Sequence, residues 1–368
     1  MYPLLPDGIR SNRTDNLNGL DMHWLEAGET DRPVVLLLHG FPELSFSWRK
    51  VMLPLAEAGY RVIAPDQRGY GFTTGWDGDY DGDVAACSMF NLTTDIVGLL
   101  SVLQIDRVDA VVGHDFGSAV AGHCALIRPD MFASVALMSA PFGGPPAMRP
   151  QQAAGNIHDD LANLPRPRKH YQWYYSTRDA AADMLNASQG LHDFFRAYYH
   201  VKSADWPDNR PFRLAGWTAE ELAKMPTYYV MDLDRNMAET VAPEMPAPAE
   251  IAACHWLTEP EMAVYADSFR QSGFQCALNW YRCSTDSRLG PDMRIYAGRT
   301  IGIPATFIAG AQDWGIQQRP GALERMAEKA FSDWRGTHLI EGAGHWVQQE
   351  QPDAVIEQLQ AFLQQSHS

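Results

Sequence analysis

The chain has 368 residues, 46% hydrophobic and 20% charged, and a net charge of −16 from 29 Lys and Arg against 45 Asp and Glu. That length suits one large domain with an insertion, or two domains, and the acidic balance argues against nucleic acid or an anionic membrane as a partner. No apolar run approaches membrane-spanning length and the first ten residues lack a basic stretch followed by an apolar core, so no signal peptide is read and a cytoplasmic protein is expected.

Leu20 to Glu26 alternates apolar and polar residues, the pattern of a strand near a sheet edge. Pro33 leads into Val34-Val35-Leu36-Leu37-Leu38, a continuous apolar run suited to a central strand covered on both faces. The loop His39-Gly40-Phe41-Pro42-Glu43 follows, then a helix from about Ser47 to Ala58 and a strand from Tyr60 to Ala64. Strand, helix, strand in this rhythm implies a parallel sheet. Asp77, Asp79 and Asp81 followed by Gly82 imitate the start of a calcium-binding loop. Ser88 stands where a bidentate carboxylate is needed, however, so a solvated loop and no metal site are expected.

Leu92 to Leu103 has helical spacing, and Val108 to Val112 is a strand that feeds Asp115. A helix from about Ser118 to Ile127 carries small residues, and Ala133 to Ser139 is the next strand. The glycine and proline cluster at 140–146 then marks a boundary. For roughly 150 residues the rhythm stops, in a segment rich in Trp, Tyr and Met that reads as helices and loops. Within it, Thr258-Glu259-Pro260-Glu261 forms a capping box, with Gly273 where the helix should end. The rhythm resumes with a strand from Ile303 to Ala309, a last strand from Gly336 to Ile340 and a closing helix from Pro352 to Gln364. The expected fold is α/β: a doubly wound, mostly parallel sheet formed by residues 1–144 and 299–368, with a helical cap inserted at 145–298. Five cysteines, odd in number and without a Cys-x-x-Cys pair, read as reduced packing thiols.

The run from Val111 to Ala119 reads as a buried strand that turns sharply at Asp115 into a helix, with Gly113 and Gly117 leaving room for close packing. The G-x-S-x-G turn that presents a serine nucleophile has this shape; here a carboxylate takes the serine's place. Asp313 and His345 follow later strands, at the sheet edge where open α/β folds bind ligands, and the order nucleophile, acid, histidine fits a triad. Taken singly, Asp115 reads equally as a turn residue and His345 as a packed histidine; the set of three is what points to catalysis.

A carboxylate is ionised at neutral pH and needs no base to activate it. Its attack on an ester carbonyl gives a reactive anhydride, whereas attack on a saturated carbon bearing a leaving group gives an ordinary ester. The expected substrate is therefore a neutral epoxide or an alkyl halide. His345, oriented by Asp313, is then the general base on water for ester hydrolysis, and the backbone N–H groups of Phe41 and Phe116 are the expected oxyanion hole. His39 reads as structural.

These motifs resemble those of the soluble-type epoxide hydrolases of the α/β-hydrolase superfamily over nearly the whole chain. His39-Gly40-Phe41-Pro42-Glu43, Gly113-His114-Asp115-Phe116-Gly117, Asp313 and Gly344-His345-Trp346 correspond to the core motifs of that family. Ser272-Gly273-Phe274 with Leu278-Asn279-Trp280-Tyr281-Arg282 is similar to the segment carrying one ring-opening tyrosine, which implies that role for Tyr281. Tyr171-Gln172 implies Tyr171 as the second, with Tyr174 and Tyr175 beside it. Phenol donors suit the task, since an epoxide oxygen leaves as an alkoxide. No cofactor is implied; the partners are the epoxide and water.

Haloalkane dehalogenases share the fold and the aspartate nucleophile but place a tryptophan N–H donor directly after it, where Phe116 has none. Fluoroacetate dehalogenases place an arginine there. A non-catalytic binding protein on the same fold is the third reading.

Overall fold

The computed structural model describes residues 2–148, 156–286, 288 and 291–366. The strands in chain order are β1 (Arg10–Leu17), β2 (Leu20–Ala27), β3 (Val34–Leu38), β4 (Arg61–Pro65), β5 (Ala110–His114) and β6 (Val135–Met138), then β7 (Arg168–His170), β8 (Val230–Asp232), β9 (Ala305–Gly310) and β10 (Trp334–Ile340). Eight of them form one sheet in the order β1-β2-β4-β3-β5-β6-β9-β10, while β7 and β8 pair separately. From β4 to β10 neighbouring strands are parallel; β1 and β2 join antiparallel at one edge.

Strands β3 and β5 are buried at every residue, as expected for strands with a layer on each face. Helices α1 (Arg49–Glu57) and α2 (Met89–Val102) and the elbow helix α3 (Phe116–Ile127) follow β3, β4 and β5 in turn. Each fully buried Val or Leu side chain in these layers contributes about 1.5–3 kcal/mol. Strand β2 differs from its expected half-exposed pattern, because its polar side is covered by partners rather than water. His23 Nδ1 lies 2.7 Å from Asp66, and Arg61 Nε donates to Glu26 at 2.9 Å.

Strand β1 was not expected. Its sequence, RSNRTDNL, has no apolar alternation, and only Leu17 is buried. Backbone pairing to β2 holds it as an edge strand, which needs little apolar surface of its own. The pair β7 and β8 escaped the sequence pattern because each strand is only three residues long.

Among its described residues, the long insertion between β6 and β9 consists of helices and loops besides that pair. It includes α4 (Tyr171–Tyr175), α5 (Leu191–Lys202), α6 (Glu259–Ser272) and α7 (Gln275–Thr285). The capping box forms as the sequence implies: Thr258 N–H donates to Glu261 at 2.8 Å and α6 ends at Gly273, φ 67°. Part of the 145–155 stretch, residues 149–155, lies outside the described residues. After β10 come α8 (Val347–Glu350) and α9 (Pro352–Ser366), the latter packed on α1.

In the acidic loop, Asp77 and Asp79 accept hydrogen bonds from the backbone two residues on, at 2.8 and 2.9 Å, and Asp81 pairs with Arg178. These carboxylates are turned to their own loop and to an arginine. Among the described residues no group of three or more His, Cys, Asp or Glu could hold a metal ion.

Candidate active site

Strand β5 delivers Asp115 to the carboxyl edge of the sheet. Asp115 has φ 53° and ψ −118°, a conformation non-glycine residues rarely adopt, which costs on the order of 1–3 kcal/mol. The surroundings leave the chain no other course. A Cβ on Gly113 would lie 2.0 Å from Gly117 O, and one on Gly117 would lie 2.1 Å from Leu38 O. Asp115 N–H donates to Met138 O at 3.1 Å, and its own carbonyl accepts from Ser118 N–H at 3.0 Å. The side chain is thereby pushed out at the tip of the turn, at the N-terminus of α3.

The loop after β3 approaches this tip closely, and Gly40 is what permits it: a Cβ there would lie 2.4 Å from the Asp115 Cβ. Phe41 N–H donates to Asp115 Oδ1 at 3.0 Å. Phe116 is the first residue of α3, so its N–H belongs to the helix turn that has no intrahelical acceptor. His39 is engaged in its own loop. Its Nδ1 lies 3.0 Å from Gly40 O, and its Nε2 accepts from Gln67 N–H at 3.1 Å.

Asp313 follows β9 and is buried, its Oδ1 accepting from Gly315 N–H at 2.6 Å. Both its oxygens lie 3.1 Å from Nδ1 of His345, which follows β10 and is also buried. With Nδ1 donating there, Nε2 is left to face Asp115. It stands 3.4 Å from Asp115 Oδ2 and makes no hydrogen bond to another described residue. The three residues from three distant strand ends therefore converge in one site.

Their charges are coupled. Burial alone would push the Asp115 carboxyl up, but the facing His345, with Lys202 and His114 adding, holds it well below the usual carboxylate range. Burial and the Lys202 charge push the His345 imidazole down, yet Asp313 and Asp115 outweigh them and raise it to about 9. Asp115 and His345 thus form an ion pair at neutral pH.

The histidine loop is fixed from all sides. His345 N–H donates to Lys202 O at 2.8 Å. Its carbonyl accepts from Ser139 Oγ at 3.1 Å and from His114 Nε2 at 2.7 Å. His114 Nδ1 in turn lies 2.6 Å from Glu43, a buried carboxylate also held by Gln348 and Gln349. Burial raises the Glu43 carboxyl, and the charge of His114 outweighs that and lowers it.

Around Phe41 and Phe116, the neighbours of Asp115, the cap presents an aromatic cluster. Tyr281 on α7 packs edge-on against Phe116 at 4.6 Å and Phe41 at 5.5 Å, and Tyr171 on α4 lies 5.9 Å from Tyr281 between ring centroids. Tyr175 intervenes, 4.9 Å from Tyr281 and 5.5 Å from Tyr171, with its hydroxyl donating to Tyr198 at 3.3 Å. Tyr171 Oη donates to Gln318 at 2.9 Å and accepts from Gln172 at 3.3 Å. Burial pushes the Tyr281 hydroxyl well up, with Tyr171 and Asp115 adding, and burial and Asp115 raise that of Tyr171; both phenols stay protonated. Sequence reasoning missed Glu43, Lys202, Gln318 and Glu350 as neighbours of the site. The HGFPE and GHD motifs contained a signal for the first of them; the others are brought in only by the packing of the cap and of α8.

The α/β hydrolase fold model matches residues 33–212. Epoxide hydrolase A of Mycobacterium tuberculosis is 32% identical over 364 residues, spanning 97% of this chain and 98% of that protein. The chain belongs to the epoxide hydrolase family. Among solved structures of the family, the epoxide hydrolase from an endophytic Streptomyces has a TM-score of 0.78 at 29% identity, covering 98% of this chain and 96% of that one. Epoxide hydrolase I of potato, Solanum tuberosum, has a TM-score of 0.73 at 30% identity, covering 97% and 99%. An α/β-hydrolase core with an inserted helical cap is thus the architecture of this family member too. Among the described residues no helix is long and apolar enough to cross a membrane.

Proposed function

We propose that this enzyme converts a neutral epoxide to a vicinal diol in two steps through an ester on Asp115. The observation that carries the reading is the arrangement of one carboxylate between a backbone donor and an imidazole. Oδ1 is held by Phe41 N–H, while Oδ2 is the oxygen free for attack, 3.4 Å from His345 Nε2. Oδ2 attacks an epoxide carbon and the C–O bond of the ring breaks. The departing oxygen takes its proton from Tyr281 or Tyr171, at the aromatic ceiling of the site.

Esterification removes the negative charge of Asp115 and with it a main support of the His345 proton. The imidazole then becomes a base near neutral pH, with Asp313 still orienting Nδ1. Water, deprotonated by His345, attacks the ester carbonyl, and the oxyanion forms on the oxygen held by Phe41 N–H, with Phe116 N–H as the second donor of the proposal. Collapse releases the diol and regenerates the carboxylate. The proton that His345 sheds on esterification returns the phenolate to phenol, and the proton His345 takes from water restores the imidazolium of the resting pair. A cytoplasmic setting belongs to the same proposal, supported by the odd, scattered cysteine set.

Purified enzyme is expected to turn small neutral epoxides into diols while releasing no halide from bromoalkanes; the ring of Phe116, turned against Tyr281, carries no N–H for a halide. Halide release with epoxides left untouched overturns the proposal. Tyr281→Phe is expected to slow alkylation roughly 10- to 100-fold in single-turnover measurements, leaving ester hydrolysis near the wild-type rate. An unchanged alkylation rate removes Tyr281 from ring opening.

A further inference from the structure

A buried ammonium that the steps above do not use is carried by the residue whose backbone carbonyl holds the His345 N–H. Lys202, the last residue of α5, is 4% exposed. Its Nζ donates to Tyr198 Oη at 3.4 Å and lies 5.0 Å from the ring centroid of Tyr229, 5.1 Å from that of Tyr198 and 5.5 Å from that of Trp346. No carboxylate among the described residues forms an ion pair with it within 4.0 Å. A desolvated cation without a direct counter-ion is costly. Burial pushes its proton affinity down, and the fields of Asp115, Asp313 and Glu43 act against that.

The position of this charge is fixed relative to the base. Lys202 O accepts the His345 N–H, and a Cβ on Gly344 would lie 2.4 Å from that same carbonyl oxygen. Two residues on, Ala204 N–H donates to Glu350 at 2.8 Å, and the same carboxylate accepts from Gly344 and Trp346 N–H, both at 2.9 Å. Trp346 stacks on Tyr199 at 4.2 Å and its indole N–H donates to Tyr199 O at 2.9 Å. The end of α5 and the histidine loop are therefore tied together at several points.

We infer that Lys202 is a positioning residue for charge: its ammonium, bolted to the histidine loop, disfavours protonated His345 once Asp115 is esterified, and so readies the imidazole as base at neutral pH. This rests on the two-step reading above. The groups facing His345 are Asp115 from the elbow, His114 from β5, Glu43 from the loop after β3, Asp313 from the loop after β9 and Lys202 from α5; Glu350 on α8 holds the backbone on either side. In the free enzyme the two nearest carboxylates prevail. In the ester Asp115 is neutral, Asp313 still favours the proton, and Lys202 is the cation from the cap that opposes it.

The test is a single-turnover experiment in which the enzyme is loaded with a small epoxide and decay of the ester on the Asp115 peptide is followed across pH. Decay accelerates as His345 loses its proton. Lys202→Met, and Lys202→Gln as a second neutral variant, should move the midpoint of that rise up by about one pH unit. On the acid side decay is then roughly tenfold slower, and the curves converge at high pH. Lys202→Arg should return the midpoint to the wild-type value. A loss merely of structure would slow decay equally at every pH, and that result, or an unshifted midpoint, overturns the role of Lys202 while leaving the ester mechanism intact. No ester on the Asp115 peptide in any of these chains overturns both.

Discussion

Replacing His345 by glutamine is expected to stop the enzyme after one turnover, with the substrate left as an ester on the Asp115-containing peptide. The two steps make unequal demands on the imidazole. Alkylation needs only an ionised carboxylate, and a carboxylate with an ordinary pKa near 4 is ionised at neutral pH without help. Phe41 N–H still donates to it in the variant, and the Lys202 charge still acts on it. Ester hydrolysis needs a proton taken from water, and glutamine cannot take it. Turnover should fall on the order of 10²- to 10⁴-fold, the usual contribution of a general base, while the first-turnover burst survives. Its acid limb should move upward, because the Asp115 carboxyl loses the cation that holds it low while burial still pushes it up. Mass spectrometry of the digested protein after an epoxide pulse reads the outcome. A variant that loses turnover without accumulating an adduct would mean that no ester precedes the diol.

What the sequence disclosed of this site followed from locality. Gly113 and Gly117 flank Asp115 within five residues, and the close contacts that require them are made by the elbow itself and by the end of β3. Asp313 was legible because it follows an apolar run of strand length, and His345 because it follows the last strand read from the sequence, Gly336 to Ile340. The central strands were legible for the same reason, though β5 runs two residues further than its apolar stretch, through Gly113 and His114. Periodicity does not register residues whose role is conferred by a distant partner. Lys202 ends an amphipathic helix, where a lysine ordinarily reaches water; it is buried because Tyr228, Tyr229 and Trp346 close over it. Glu350 lies among glutamines on a short helix, and only the tertiary fold reveals that it collects N–H groups on both sides of His345. The edge strand β1 is held by backbone pairing, a force to which side-chain patterns are blind.

The cap was legible as an interruption and not as a structure. Aromatic residues there are frequent enough that composition could not rank them, and Tyr171, Tyr174 and Tyr175 are adjacent on one short helix. Geometry separates them: Tyr174 donates to Asp183 on the far side, Tyr175 is bonded to Tyr198, and Tyr171 reaches the Gln318 side chain. Tyr171 is therefore proposed as the second proton donor, because the Asp115 charge acts on its hydroxyl and its ring lies 5.9 Å from that of Tyr281.

Asp115→Ala is expected to abolish diol formation, by 10⁴-fold or more on the order-of-magnitude scale of a lost nucleophile, and to leave no adduct on any peptide. The contrast with the histidine variant decides between two chemistries that share all three residues. If His345 activated water to open the epoxide directly, Asp115 would serve only to orient or charge the imidazole, and alanine would slow the reaction without changing where the new oxygen comes from. In the ester route the nucleophilic oxygen of Asp115 stays on the substrate, because water attacks the carbonyl carbon and not the alkyl carbon. A single turnover of wild-type enzyme in heavy-oxygen water should accordingly give unlabelled diol and a labelled Asp115. The direct route gives labelled diol and an unlabelled protein. The double variant Asp115→Ala/His345→Gln should be no slower than Asp115→Ala, since the second residue acts only on a product of the first. Folding of the alanine variant is checked by circular dichroism; the elbow is over-determined by Gly113, Gly117 and the Leu38 carbonyl, so the turn should persist without the carboxylate. Diol formation by that variant within tenfold of wild type, or label in the wild-type diol on first turnover, would remove the ester from the reaction.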